Sequence, residues 1–278
     1  MMKRFFLTLV TFLLMTISFA YAHDWSKIKI GTEGAYPPWN GMNAAGELEG
    51  AEIDLVFDLC ARMNAECELV AQDWDGIIPA LQNGKYDAII AGMSITKERM
   101  KVINFSQGYA NEPASFSVLK SSPLSALGHS GKVNMDVLDA TSEGLLASLK
   151  STLNGATVGV QGATTHENFV KQVLGDSVTM KSYDTQENLE LDLSVGRIDA
   201  ALSDQGSMEK FMESDNGKDI IFIGPGLGGG SFGEGVGVGL RKRDTDLLKM
   251  FNSAIDAARA DGTLAEHFTK WFGKDISM

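Results

Sequence analysis

Two short segments of this chain are near copies of one another, and they restrict its fold more than any other feature. Residues 83–89 read NGKYDAI and residues 194–202 read SVGRIDAAL. Each has a glycine, a basic residue, an apolar residue and then Asp-Ala. Before the first copy, Ile77, Ile78 and Leu81 fall at helical spacing, with Asp75 placed to cap that helix and Gly84 to stop it. After it, residues 86–91 form a short apolar run of the kind found in buried parallel strands. Upstream, KIKIG at 27–31 alternates as a strand does. From Glu52 the apolar residues Ile53, Val56, Phe57, Cys60 and Met63 mark a helix ending near Asn64, and 68–71 read as the next strand. Strand, helix, strand, helix, strand is a βαβ pattern, which requires an α/β sheet. The second copy sits in a similar setting, after a strand at 156–160 (ATVGV) and a helix over 164–173. The expectation is two α/β lobes built on one plan.

The connections support that division. Residues 116–119 (FSVL) read as a strand leaving one lobe and entering the other, and 121–131 are loose and polar. Residues 220–239 read as a strand, a glycine-rich turn and a strand, with the last strand over 236–240. Gly224, Gly226 and Gly229 match a dinucleotide fingerprint in spacing only. Pro225 interrupts it, no helix follows, and no second-strand acid completes it. The segment 245–272 reads as amphipathic helix through Leu247, Leu248, Phe251, Ile255, Leu264 and Phe268. Crossings near 111–115 and 229–236 would form a hinge, with one lobe from 23–112 plus 234–278 and the other from 113–233.

The first 22 residues read as a secretory leader. Lys3 and Arg4 precede an apolar run, and Ala20-Tyr21-Ala22 is a small-residue cleavage site. The mature chain is expected to start near His23, in an oxidising compartment. There Cys60 and Cys67 are expected to form a disulfide rather than remain free thiols. The net charge is −12, which argues against nucleic acid and anionic lipid as partners. The four histidines, His23, His129, His166 and His267, are scattered without metal-ligand spacing, and no cofactor is expected.

Several residues carry candidate chemistry. Arg99 is expected one turn into a helix starting at Ser94 or Thr96, where free N–H groups and a guanidinium together suit an anion. Thr164 and Thr165 open a helix after Gln161-Gly162, where they either cap it or donate to the same anion. Asp204 stands at a strand's carboxyl end and either pairs with an ammonium or caps the following helix. Glu33 follows the first strand and could hold an amine or guanidinium. Tyr36 and Trp74 would flank a ligand stem, with Trp74 lying in a polar loop between Asp73 and Asp75.

With these motifs in order, the chain resembles bacterial periplasmic solute-binding proteins that serve polar amino-acid ABC transporters, and within them the basic amino-acid and opine (octopine/nopaline) branch. The resemblance covers essentially the whole mature chain. It rests on GTEGxYxPW from Gly31, GxEIDL from Gly50, WDGIIPAL from Trp74, KYDAI, MSITxxR, VGVQGxTT from Val158, GRIDA and VGLRK. It implies a type II binding-protein fold whose lobes close on ligand, acting as a monomer that delivers cargo to a membrane permease. It implies that Arg99, Thr164 and Ser94 hold an α-carboxylate, Asp204 an α-ammonium and Glu33 a distal cation. Tyr36 and Trp74 would form walls, with Ala91, Gly92, Met93, Gln161, Ala163 and Thr165 around them. The Cys60–Cys67 bridge matches one in the lysine/arginine/ornithine and histidine binders. The chain departs from those binders by having Ala91-Gly92-Met93 where they carry Ser-Ser, Glu33 where they carry Asp, and Trp74 where they carry Phe. Two hydroxyls are lost there and space is expected to be gained.

The function expected is capture of a cationic amino acid or an arginine-derived opine. An enzyme on this scaffold, as in cyclohexadienyl dehydratases, would need a tuned acid such as Glu33, and no histidine is expected to accompany it. A sensory domain would be fused to a membrane helix and signalling module, which the residues after Trp271-Phe272 do not supply.

Overall fold

A computed structural model describes residues 24–278. The expected leader over 1–22 and start near His23 lie outside the described residues. Two sheets carry the molecule. The first runs Glu66–Ala71, Lys27–Thr32, Ala88–Ile89, Gly239–Leu240, Asn104–Phe105. Its first three strands are parallel and its last two pairings antiparallel. The second runs Thr179–Tyr183, Thr157–Gln161, Ala200–Asp204, Ala114–Leu119, Ile220–Gly228, His129–Asn134. It also begins with three parallel strands followed by an antiparallel neighbour. The chain passes from first sheet to second between Phe105 and Ala114, and back between Gly228 and Gly239.

The copied segments do the same work in both sheets. Gly84 and Gly196 have φ of 79° and 69° respectively, and each ends a helix, donating to the Leu81 and Leu193 carbonyls at 3.0 Å. Lys85 and Arg197 then reach back to the Ala80 and Asp192 carbonyls. Tyr86 and Ile198 are buried beneath the turn. Asp87 accepts from the Lys29 N–H at 3.0 Å and Asp199 from the Thr157 N–H at 2.8 Å, while their own N–H groups return to the same residues' carbonyls. Each aspartate thus fixes a register, of Ala88–Ile89 against Lys27–Thr32 and of Ala200–Asp204 against Thr157–Gln161. The alanines that follow, Ala88 and Ala200, are fully buried where a larger side chain has no room.

Each sheet has apolar packing on both faces. The helices Ala51–Arg62, Thr245–Asp261 and Thr263–Phe272 cover one face of the first sheet through Leu55, Leu59, Phe251 and Phe268. Ile77, Leu81, Tyr86 and Ile89 fill the other face. In the second sheet Phe116, Val158 and Phe169 pack on one side and Leu189, Leu193 and Met208 on the other. A disulfide joins Cys60 to Cys67, tying the helix Ala51–Arg62 to the strand after it.

Several expectations need correction. Asp75 does not cap a helix; it sits inside a 3₁₀ turn, Trp74–Gly76, and Gly76 precedes the helix Ile77–Gln82. The strands expected over 86–91 and 236–240 are confined to Ala88–Ile89 and Gly239–Leu240. The polar stretch 121–131 is not loose: it contains the turn Pro123–Leu127 and enters the strand His129–Asn134. The single helix expected over 245–272 is two, broken at Gly262 in the left-handed conformation. No helix among the described residues is long and apolar enough to cross a membrane.

A β-carbon at 84 would meet nothing within 4 Å, so only the backbone resists it. Gly84→Ala is therefore expected to cost about 1 kcal/mol through the left-handed φ alone. Urea unfolding at neutral pH measures it; no loss would show that the turn relaxes.

Candidate functional site

The two sheets bring the carboxyl ends of their parallel strands to one cleft, the usual ligand position in open α/β sheets. Glu33 directly follows the strand Lys27–Thr32, Trp74 lies just beyond Glu66–Ala71, and Ala91 and Gly92 lie beyond Ala88–Ile89. Facing them, Gln161 and Asp204 are the last residues of their strands. With Tyr36, Ser94, Arg99, Thr164, Thr165 and His166 these residues line a cleft whose remaining cavity volume is about 20 Å³. That is room for about one water, because polar contacts across the cleft fill the rest.

The near wall is fixed by one buried carboxylate. Glu52, in the first turn of the helix Ala51–Arg62, is wholly buried. Its oxygens accept the Gly92 N–H at 2.8 and 2.9 Å, the Asn40 amide at 2.7 Å and the Tyr109 hydroxyl. Asn40 in turn accepts the Gly34 N–H at 2.8 Å, and Tyr36 and Asn40 exchange backbone hydrogen bonds. The loop bearing Glu33 and Tyr36 therefore hangs from Glu52. Burial pushes the Glu52 carboxyl above its ordinary range, and these donors oppose the shift.

Polar contacts already cross the cleft. Gln161 donates to Glu33 at 2.7 Å, and the Tyr36 hydroxyl donates to Asp204 at 2.6 Å. The Trp74 indole donates to the Ala163 carbonyl at 3.3 Å. Ala163 has φ of 54°, a left-handed conformation that side chains rarely adopt, and strain of this kind concentrates at functional sites. Arg99 donates to the Ser94 carbonyl at 3.0 Å, and its guanidinium carbon lies 5.2 Å from the centre of the Trp74 ring. Desolvation lowers the Arg99 pKa to about 10, opposed by Asp204, so it stays cationic at neutral pH. Arg99 forms no ion pair with a carboxylate within 4.0 Å among the described residues, leaving its charge free for an external anion. Burial raises Glu33 to about 7, with Glu187, Asp73 and Asp75 adding to the effect and Gln161 opposing it.

Of the residues expected at the site, Glu33, Tyr36, Trp74, Ala91, Gly92, Ser94, Arg99, Gln161, Thr164, Thr165 and Asp204 line this cleft. Met93 does not: its side chain is fully buried against Trp74 and Ile77. Ala163 contributes only its carbonyl. The helix expected from Ser94 or Thr96 starts at Arg99 and spans only Arg99–Val102, with the Arg99 N–H taken by Thr96. It offers no free N-terminal donors through that group. Thr164 is a cap, accepting from Glu167 and donating to the Gln161 carbonyl. Asp204 does not cap its helix; its carboxylate turns to the cleft. The space expected from Gly92 is occupied, since a β-carbon there would meet the Tyr36 ring at 3.2 Å.

His166 was not expected here. It is buried, its Nε2 lies 3.2 Å from Asp204, and it lines the cleft beside Glu33 and Tyr36. Its adjacency to the Thr164-Thr165 cap was the available signal, because the first residues of that helix face the cleft. Among the described residues no cluster of three or more His, Cys, Asp or Glu side chains is placed to hold a metal.

Comparison with known proteins gives concordant matches. The sequence profile of the bacterial extracellular solute-binding proteins, family 3, matches residues 28–274. The octopine-binding periplasmic protein of Rhizobium meliloti is 38% identical over 269 residues, covering 90% of this chain and 91% of the relative. The L-arginine-binding protein of Pseudomonas aeruginosa is 34% identical, covering 90% and 89%. A periplasmic His/Glu/Gln/Arg/opine family-binding protein from Silicibacter pomeroyi, solved with lysine, superposes with a TM-score of 0.72. It shares 35% identity and covers 90% of this chain and 99% of that one.

Removing the Glu52 carboxylate would leave its three donors without a partner in the interior. Glu52→Ala is expected to destabilise the fold by about 3 kcal/mol or more. Thermal or urea unfolding reads this, and a change under 1 kcal/mol would show that the loop does not depend on Glu52.

Proposed function

The chain belongs to the bacterial extracellular solute-binding proteins of family 3, and on that premise we propose that it captures a cationic amino acid or an arginine-derived opine for an ABC importer. The observation that carries the reading is the charge layout of the cleft among the described residues: one guanidinium, Arg99, without a carboxylate partner, and two acids, Asp204 and Glu33, at strand ends on opposite walls. Arg99, with Ser94 beside it, receives the ligand α-carboxylate, and Asp204 receives the α-ammonium. Glu33 takes the distal amine or guanidinium, with Trp74 and Tyr36 along the stem. The octopine- and arginine-binding relatives support this class of ligand.

The lobes of this reading are 23–112 plus 234–278 and 113–233. Closure about the two crossings brings Glu33 and Arg99 to the same ligand as Gln161 and Asp204. A ligand that touches both lobes favours the closed form by its extra contacts. The leader is removed after Ala22, the mature protein works as a periplasmic monomer, and the membrane permease of the importer is its partner.

An acid with a pKa of about 7 sharing a cleft with a histidine is also the equipment of a proton-transfer enzyme. The presence of His166 removes the objection that Glu33 stands without one. Both Asp204 oxygens are nevertheless engaged, by Tyr36 and His166, as befits a fixed ammonium receptor. Incubation with prephenate or arogenate is expected to yield no aromatic product; turnover would establish the enzymatic reading.

Calorimetry on ligand-stripped protein with arginine, ornithine, lysine, histidine, octopine and nopaline tests the proposal. At least one is expected to bind, and silence toward all six contradicts it. Arg99→Ala is expected to abolish binding, because a desolvated charge-assisted bidentate bond contributes about 2–5 kcal/mol. Glu33→Gln is expected to weaken ligands with a cationic tail and to spare those without one. Near-native binding by the Arg99 variant would remove the carboxylate role.

A further inference from the structure

Glu33 is a carboxylate with no ion-pair partner within 4.0 Å among the described residues. It is 8% exposed and accepts one hydrogen bond, from the Gln161 amide. The titratable groups that act on it most strongly among the described residues are acidic: Glu187 on the helix Gln186–Ser194, and Asp73 and Asp75 around the turn Trp74–Gly76. Arg99 lines the same cleft but is held over Trp74 and bonded to Ser94, and His166 is turned to Asp204. The Gln161 amide, which also donates to the Asp184 carbonyl at 3.3 Å, can donate to either charge state of Glu33, because a protonated carboxyl keeps an acceptor oxygen.

We infer that Glu33 exchanges a proton for the ligand's cationic tail, so that discrimination between cationic and neutral-polar amino acids is set by pH. This rests on the capture function proposed above and specifies how its distal subsite works. With its proton, Glu33 is a neutral donor and acceptor able to meet a ureido or amide tail. Without it, Glu33 is a buried anion that a cationic tail neutralises, whereas a ureido tail meets either form through its N–H groups and carbonyl with little preference. The atoms balance simply: a guanidinium or ammonium enters charged, and the proton leaving Glu33 passes to buffer. A ligand with a neutral tail releases none from this group.

The pair arginine and citrulline isolates the effect. Both carry the same α-carboxylate and α-ammonium, so proton exchange around Asp204, including at the buried Glu112 that burial and Asp204 raise to about 8, is common to both and cancels in the difference. Only the tail, guanidinium against ureido, differs in charge. Titration calorimetry in buffers of low and high ionisation heat, from pH 5.5 to 8.5, reads the protons released. If arginine does not bind, octopine, which has the same guanidinium, replaces it.

With a carboxyl that titrates near 7, the cationic ligand is expected to release roughly half a proton more than citrulline at pH 7. The excess rises toward one proton at pH 6 and vanishes by pH 8.5. The ratio of citrulline Kd to arginine Kd is expected to climb with pH by up to about tenfold per unit below pH 7 and to level above pH 8. Where citrulline binding is too weak to titrate directly, it is read by competition against arginine. Glu33→Gln is expected to erase both the excess proton and the pH dependence of the ratio. Should that variant lose all binding, the buffer dependence of the wild-type protein decides alone. Binding of a cationic ligand with the same proton release as citrulline at every pH overturns the inference and leaves the capture function standing. Failure of every cationic ligand to bind overturns both.

Discussion

A carboxylate buried in the first turn of a helix holds the front wall of the cleft together. Glu52 has no access to solvent and is stabilised by Gly92, Asn40 and Tyr109. These partners come from three places in the chain: the turn after the third strand, the loop after the first, and the segment leading to the first crossing. A buried anion without hydrogen bonds would be costly, so each of these segments is held where its donor meets the carboxylate. Glu33 and Tyr36 inherit their positions from that arrangement, as does the turn that begins at Gly92. The ligand-facing groups are therefore displayed by a polar anchor inside an apolar unit.

The second unit places its cleft-facing groups by strand ends instead. Gln161 and Asp204 close adjacent parallel strands, and the left-handed Ala163 sends its carbonyl to Trp74. Polar contacts then span the cleft at Glu33–Gln161, Tyr36–Asp204 and Trp74–Ala163. Each pairs a residue of one sheet's unit with a residue of the other. This distributes the recognition of one small molecule over two bodies, which is the condition for closure to depend on ligand.

Much of this was legible in the residues. The repeated Gly-basic-apolar-Asp-Ala segment read correctly because each of its positions has a local duty: a left-handed helix end, a buried plug, and an aspartate pairing with a neighbouring strand. Strand ends were also readable, and with them Glu33 and Asp204, because ligand positions in open sheets follow from strand direction. What escaped depends on distant partners. Glu52 reads as an acid in a helix's first turn, and nothing local shows that Gly92 and Tyr109 converge on it. The hydroxyl of Tyr36 reads as part of a wall until Asp204 is placed opposite. The helix Ala140–Thr152 escaped because it buries little beyond Ser142 and Leu149, so its apolar stripe is faint. The split at Gly262 was missed because the apolar positions keep helical spacing on both sides of it.

The central claim is that two bodies close on a zwitterion with a cationic tail and let it go unchanged. Small-angle scattering of ligand-stripped protein, with and without saturating arginine and then octopine, measures that closure directly. The account requires the radius of gyration to fall when a ligand binds and to recover fully when it is dialysed away, with the ligand recovered intact. Superposable curves at ligand concentrations that calorimetry shows to be saturating would contradict it.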